Sequence, residues 1–186
     1  MSYLVIIKQG NLLKEPNATF IVNASNTRLL LGSGVSMAFK RHCGNELQQE
    51  MRAKLESLGY VLHKGDVVAT SSGKATNFKY TLHAAIMDYN PGKRGDEKLP
   101  TLTDIFKVLN NIESYLRWYV EEKNNQKVKL VLPLMGCGVG GLDKHEVIKL
   151  YKSFFQREVD FECEVVIYGY TQEDMQLIQS IFSSDL

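Results

Sequence analysis

Cysteine is scarce in this chain, and what there is sits far apart. Cys43, Cys137 and Cys163 are odd in number and form no C-x-x-C pair. That argues against a disulfide scaffold and against a structural zinc site, and it suits a reducing, cytoplasmic setting. Excess charge of one sign is also missing. The formal net charge is +1, so no long-range field favours nucleic acid or an anionic membrane, and a phosphate-bearing ligand would have to be held by local dipoles. Long apolar runs are absent as well. The N-terminal stretch Tyr3-Leu4-Val5-Ile6-Ile7 is too short for a signal peptide or a membrane span and reads as a first strand. Internal repeats and low-complexity tracts are missing too.

Several chemical signatures fail in the same way. No G-x-x-x-x-G-K-[ST] occurs, which excludes the P-loop. Gly32-Ser33-Gly34 lacks the third glycine of a dinucleotide fingerprint, and no G-x-S-x-G elbow presents a hydrolase serine. His42, His63, His83 and His145 show no ligand spacing with one another or with the cysteines, so no metal is expected, and no cofactor.

What is present is a regular alternation. Strand-like stretches rich in β-branched and aromatic residues cover 3–8, 18–23, 66–70, 78–86, 128–135 and 164–168. Helical periodicity covers 35–41, 46–58, 101–123, 144–156 and 172–182, with a break at Gly44-Asn45. In the longest of these, Ile105, Leu109, Ile112, Leu116 and Tyr119 share a face, and Thr101 with Asp104 reads as its cap. Asp143 and Thr171 read as caps of the last two helices. The 88–99 stretch, with Pro91-Gly92 and Gly95-Asp96, is a polar loop expected to be mobile. With 44% hydrophobic residues over 186 positions, one domain is expected. Its class is α/β: a three-layer α/β/α sandwich on a mixed, mostly parallel sheet.

Two glycine-rich loops stand between strands and helices. Gly32-Ser33-Gly34-Val35 follows the second strand, and Gly136-Cys137-Gly138-Val139-Gly140-Gly141 follows the fifth. Glycine permits close approach and aims successive backbone N–H groups at one point, and a helix beginning after such a loop adds the positive end of its dipole. Two such loops can clamp a pyrophosphate from both sides.

The order Gln9-Gly10-Asn11-Leu12-Leu13, Val22-Asn23-Ala24-Ser25-Asn26, the first glycine loop, Gly65-Asp66-Val67, Leu82-His83-Ala84-Ala85 and then Pro133-Leu134-Met135 with the second loop resembles the macrodomain family over nearly the whole chain. The resemblance implies ADP-ribose, or an ADP-ribosylated protein or metabolite, as the partner, bound by a monomer at the carboxyl ends of the strands. It implies adenine near Asn11, Leu12 and Tyr168, with Asn11 in place of the usual aspartate. Asn26 is expected to contact the distal ribose directly, and Asn23 to tie down the loop. The phosphates would lie on Gly32, Ser33, Gly34 and Val35 on one side and on Gly136, Cys137, Gly138, Val139 and Gly140 on the other, with Cys137 a small loop residue. Some family members hydrolyse ADP-ribosyl bonds and place an aspartate after the first loop. Here that position is Ser36, which has no evident base beside it. Binding is the first reading, de-ADP-ribosylation the alternative, and a purely structural role for the loops the third.

Overall fold

The computed structural model describes residues 2–32, 35–124 and 127–184. Six strands form one sheet: β1 (Tyr3–Gln9), β2 (Ala18–Asn26), β3 (Val67–Ser71), β4 (Phe78–Met87), β5 (Val128–Pro133) and β6 (Cys163–Gly169). Their order is β1-β6-β5-β2-β4-β3, all parallel except β3, which pairs antiparallel with β4. Five α-helices complete the fold: α1 (Val35–Cys43), α2 (Asn45–Ser57), α3 (Leu102–Glu122), α4 (Lys144–Phe155) and α5 (Gln172–Ser183).

Alternation along the strands sorts the core into two layers. On one face Phe20, Val22, Leu130, Leu132, Val165 and Ile167 pack against α3, α4 and α5. On the other, Ile21, Val131 and Val166 meet α1 and α2 through Phe39, Cys43, Leu47 and Met51. The α3 stripe expected from its periodicity is fully inside: Ile105, Leu109, Ile112, Leu116 and Tyr119 are all at most 2% exposed. The sandwich is therefore three-layered and its sheet mixed.

The helix caps are where the sequence puts them. Thr101 and Asp104 form a reciprocal capping box. Asp143 accepts the N–H of Glu146, and Thr171 that of Asp174. Most bounds shift by a residue or two, β5 stopping at Pro133 and α1 running to Cys43, and two stretches differ more. β2 runs three residues further than its apolar pattern, to Asn26, with a bulge between Ser25 and Asn26. Polar residues there still make ladder bonds because the layers bury them. The 88–99 loop holds a short 3-10 turn (Gly95–Lys98), and its first residue, Asp88, is buried. Asp88 N–H donates to Lys98 O at 2.9 Å, and its carboxylate accepts the N–H of Asn90 at 3.0 Å. The loop is closed on itself at its base.

Candidate functional site

β2 and β5 are neighbours in the sheet, yet β2 leads to α1 on one face and β5 to α4 on the other. Their outgoing loops therefore diverge and leave a crevice at the carboxyl ends of the strands, the switch point where α/β sheets take ligands. A cavity of about 380 Å³ lies there. The β2 end and its loop supply Ala24, Ser25, Asn26, Leu30 and Gly32, and the first turn of α1 supplies Ser36. β4 supplies Ile86 and Met87, with Tyr89 just beyond, and the β5 side supplies Pro133, Leu134, Gly136, Gly138, Val139 and Gly140.

The cavity brings together Asn26, Gly32, Ser36, Gly136, Gly138, Val139 and Gly140. Ser33 and Gly34 lie outside the described residues, as does the side chain of Val35. Cys137 is partly buried in the second loop, with its thiol turned to Met135 O. Burial pushes that thiol up to about 11, so it remains protonated and a poor nucleophile. Asn11, Leu12, Asn23 and Tyr168 do not line the cavity. Asn11 caps the 3-10 turn Leu12–Lys14 by accepting the Leu13 N–H. The Tyr168 hydroxyl donates to Glu15, a buried carboxylate also held by Lys8 and Lys129.

Each loop is braced from behind. In the first, Asn26 Oδ1 accepts the N–H groups of Arg28 and Leu30, and its amide donates to Leu30 O at 2.9 Å. Gln48 of α2 adds a clamp, donating to Leu29 O and accepting the Leu31 N–H. Together they hold Leu29 at φ 50°, a conformation a branched residue adopts only when its surroundings enforce it. Gln48 carries no mark of this in the sequence, because a surface-type residue on a helix gives no periodic signal. In the second loop, the fully buried Tyr151 donates to Pro133 O at 2.6 Å and accepts the Met135 N–H. Its phenol thus ends β5.

The glycines divide into two kinds. A Cβ on Gly140 would sit 2.6 Å from Gly136 O and 2.8 Å from Pro100, and Gly136 has φ 79° with Leu142 2.7 Å from its would-be Cβ. These two are required by the turn itself. Gly32 and Gly138 are different: neither has a positive φ, and a Cβ on either meets nothing within 4 Å. The turn does not need glycine there. One such residue stands on each loop, and both face the cavity.

Ser36, in the first turn of α1, is fixed from beneath the cavity. Its hydroxyl donates to Asn23 Oδ1 at 3.1 Å or Ala24 O at 3.2 Å. The Asn23 amide donates to His83 Nδ1, so the imidazole carries its proton on Nε2 and donates to Thr70 Oγ1 at 2.8 Å. Complete burial pushes His83 down to about 3, and it stays neutral. Serine and histidine here imitate a catalytic pair, but an amide stands between them. Asn23 cannot take the serine proton, and the His83 lone pair is already used. What Ser36 offers the cavity is acceptor lone pairs. α1 carries no acidic residue in its first turn, so the positive end of its dipole is not offset by its own side chains. Among the described residues no group of three His, Cys, Asp or Glu side chains is placed to hold a metal.

The macro domain family model matches residues 22–151, from the second half of β2 through both glycine loops to most of α4. The chain belongs to the macrodomain family. An uncharacterized protein of Sulfolobus acidocaldarius is 29% identical over 98% of this chain and 92% of its own length. Among solved structures, the Oceanobacillus iheyensis macrodomain with ADP superposes with a TM-score of 0.73 at 21% identity, over 95% of this chain and 88% of that one. The Trypanosoma brucei macrodomain in complex with ADP-ribose gives 0.65 at 17% identity, over 95% and 68%. At these identities the superpositions concern the fold. No helix among the described residues of this macrodomain is long and apolar enough to cross a membrane.

Proposed function

We propose that this macrodomain binds ADP-ribose or an ADP-ribosyl group, with the pyrophosphate between its two glycine loops. The observation that carries this reading is the pair Gly32 and Gly138. Each lines the same cavity from an opposite loop, with open space where a side chain would stand and no backbone need for glycine. Leaving the backbone bare there has a use when a ligand must approach its N–H groups. The uncompensated N-terminus of α1 supplies the matching field for an anion. Family membership, and relatives of the same fold solved with ADP and with ADP-ribose, point the same way.

In this reading the distal ribose lies toward Asn26 and Ser36. Asn26 acts chiefly by shaping the loop, since its amide is spent on Leu30 and Arg28. Ser36 accepts a hydrogen bond from a ribose hydroxyl. The adenine is assigned to the ends of β1 and β6, near Asn11, Leu12 and Tyr168. Asn11 keeps its amide N–H groups for the base, while Tyr168 supports the site from beneath.

Binding is favoured over hydrolysis. Removal of an ADP-ribosyl group needs a base or nucleophile at the distal ribose, and the Ser36–Asn23–His83 chain supplies neither. Calorimetric titration with ADP-ribose, ADP and AMP tests the reading, followed by an assay for ADP-ribose release from a modified protein. Saturable binding of ADP-ribose with slow or no release is expected. Failure to bind ADP-ribose would refute the proposal, and the glycine loops would then be turns alone.

A further inference from the structure

A second cavity, of about 530 Å³, lies at the opposite side of the sheet from β1, against the outer edge of β3. α2 and α3 belong to opposite layers, and both reach past this edge. Glu50 comes from α2, and Ser114, Tyr115 and Trp118 from α3; Phe20 and Tyr80 form the floor. The Tyr80 ring stacks on Phe20 with centroids 5.4 Å apart, Trp118 stands against it at 76° and 6.0 Å as a wall, and Trp118 is 44% exposed.

The cavity's polar groups are mostly spent within the protein. Thr70 binds His83 and Ser71 O. The Ser71 N–H and hydroxyl both donate to the Glu50 carboxylate. Ser114 donates to Asn110 O, and the Tyr115 hydroxyl to Val67 O. A sugar or phosphate would find few partners here. The same bonds cap the free edge of β3 at both ends, at Val67 O and Ser71 N–H, so an added peptide strand would have to break them. What remains is aromatic surface and one negative charge. Among the described residues Glu50 has no ion-pair partner, and no Lys or Arg stacks on Tyr80, Tyr115 or Trp118.

We infer that this cavity is a second binding site, for a small organic cation of the quaternary-ammonium class. Methyl groups around a diffuse positive charge need no hydrogen bonds, pack on aromatic rings and are drawn to their faces. The Glu50 carboxylate at the rim supplies the charge complement. The site is separate from the cavity between the glycine loops and stands whether or not ADP-ribose binds there.

Trp118 is the only tryptophan of the chain, so its emission reports on this cavity alone. Choline is the probe, with the uncharged isostere that has carbon in place of nitrogen as its control. A saturable change with choline is expected, with affinity for the isostere weaker by about fivefold or more. Glu50→Gln should weaken choline by about two- to fivefold and leave the isostere unchanged, while Tyr80→Leu should weaken both. If Glu50→Gln melts early, the wild type still decides: choline affinity must fall as salt rises, and isostere affinity must not. No saturable response, equal affinity for the two probes, or choline binding indifferent to salt and to Glu50→Gln would each overturn the inference.

Discussion

Replacing Gly138 by valine separates a glycine kept for a ligand from a glycine kept for a turn. A Cβ at Gly138 meets no atom within 4 Å and requires no positive φ. Folding should therefore change by no more than about 0.5–1 kcal/mol, since the loss of backbone freedom in the unfolded chain offsets much of any local cost. For a chain of this length that is about 1–4 °C in the melting midpoint. The branched side chain would stand in the cavity, where the backbone N–H groups of the second loop are proposed to meet a phosphate. Hydrogen bonds to a charged group contribute about 1.5–3 kcal/mol each, so losing two should weaken ADP-ribose binding by about a hundredfold or more. Gly140→Ala is the opposite case. Its Cβ would press on Gly136 O at 2.6 Å and Pro100 at 2.8 Å. Either the loop moves or the strain stays, at about 1–3 kcal/mol, and the midpoint falls by several degrees. Differential scanning fluorimetry and calorimetric titration of both variants read the two quantities independently. Gly138→Val binding ADP-ribose as tightly as the parent, or melting as early as Gly140→Ala, would refute the reasoning.

AMP lacks the second phosphate and distal ribose and so forgoes the contacts proposed at the first loop and Ser36; calorimetry should give it at least about tenfold weaker binding than ADP-ribose. Release of ADP-ribose from modified aspartate or glutamate should be slow, because general-base assistance worth about 100- to 10,000-fold is missing; many turnovers per minute in a release assay would contradict the inert Ser36–Asn23–His83 chain. Gln48→Ala removes two hydrogen bonds from the Leu29–Leu31 backbone, so it should cost about 1–2 kcal/mol in denaturant unfolding and weaken ADP-ribose binding through a looser first loop. Burial alone would raise the Glu15 carboxyl, but hydrogen bonds from Lys129, Lys8 and Tyr168 outweigh it and bring it down to about 2 from 4.5. A depressed carboxyl stabilises the fold above pH 4.5, and that contribution is lost as pH falls through 2. Glu15→Gln should therefore cost about 2–3 kcal/mol at neutral pH and flatten the stability profile between pH 4.5 and 2, as measured by urea unfolding at each pH.

The sequence alone determined the elements, the layers and the class of the sheet, because these follow from periodicity. The strand pattern from Val128 to Pro133 and the α3 stripe from Ile105 to Tyr119 bury what their spacing says they must. Caps were equally readable at Thr101, Asp143 and Thr171, since a cap is a local hydrogen bond over three residues. So was the presence of two glycine loops. Which of their glycines serve the turn and which face open space was not readable, because that depends on how closely Pro100, Leu142 and the loop's own Gly136 carbonyl approach them. The end of β2 was missed for a related reason: its polar residues extend the ladder only because neighbouring elements cover them. Most of all, sequence left Ser36 as a serine without an evident base. The tertiary structure decided what stands beside it, by bringing Asn23, His83 and Thr70 from three strands into one directed hydrogen-bond chain. Such a chain joins residues up to 60 positions apart, and no local pattern encodes it.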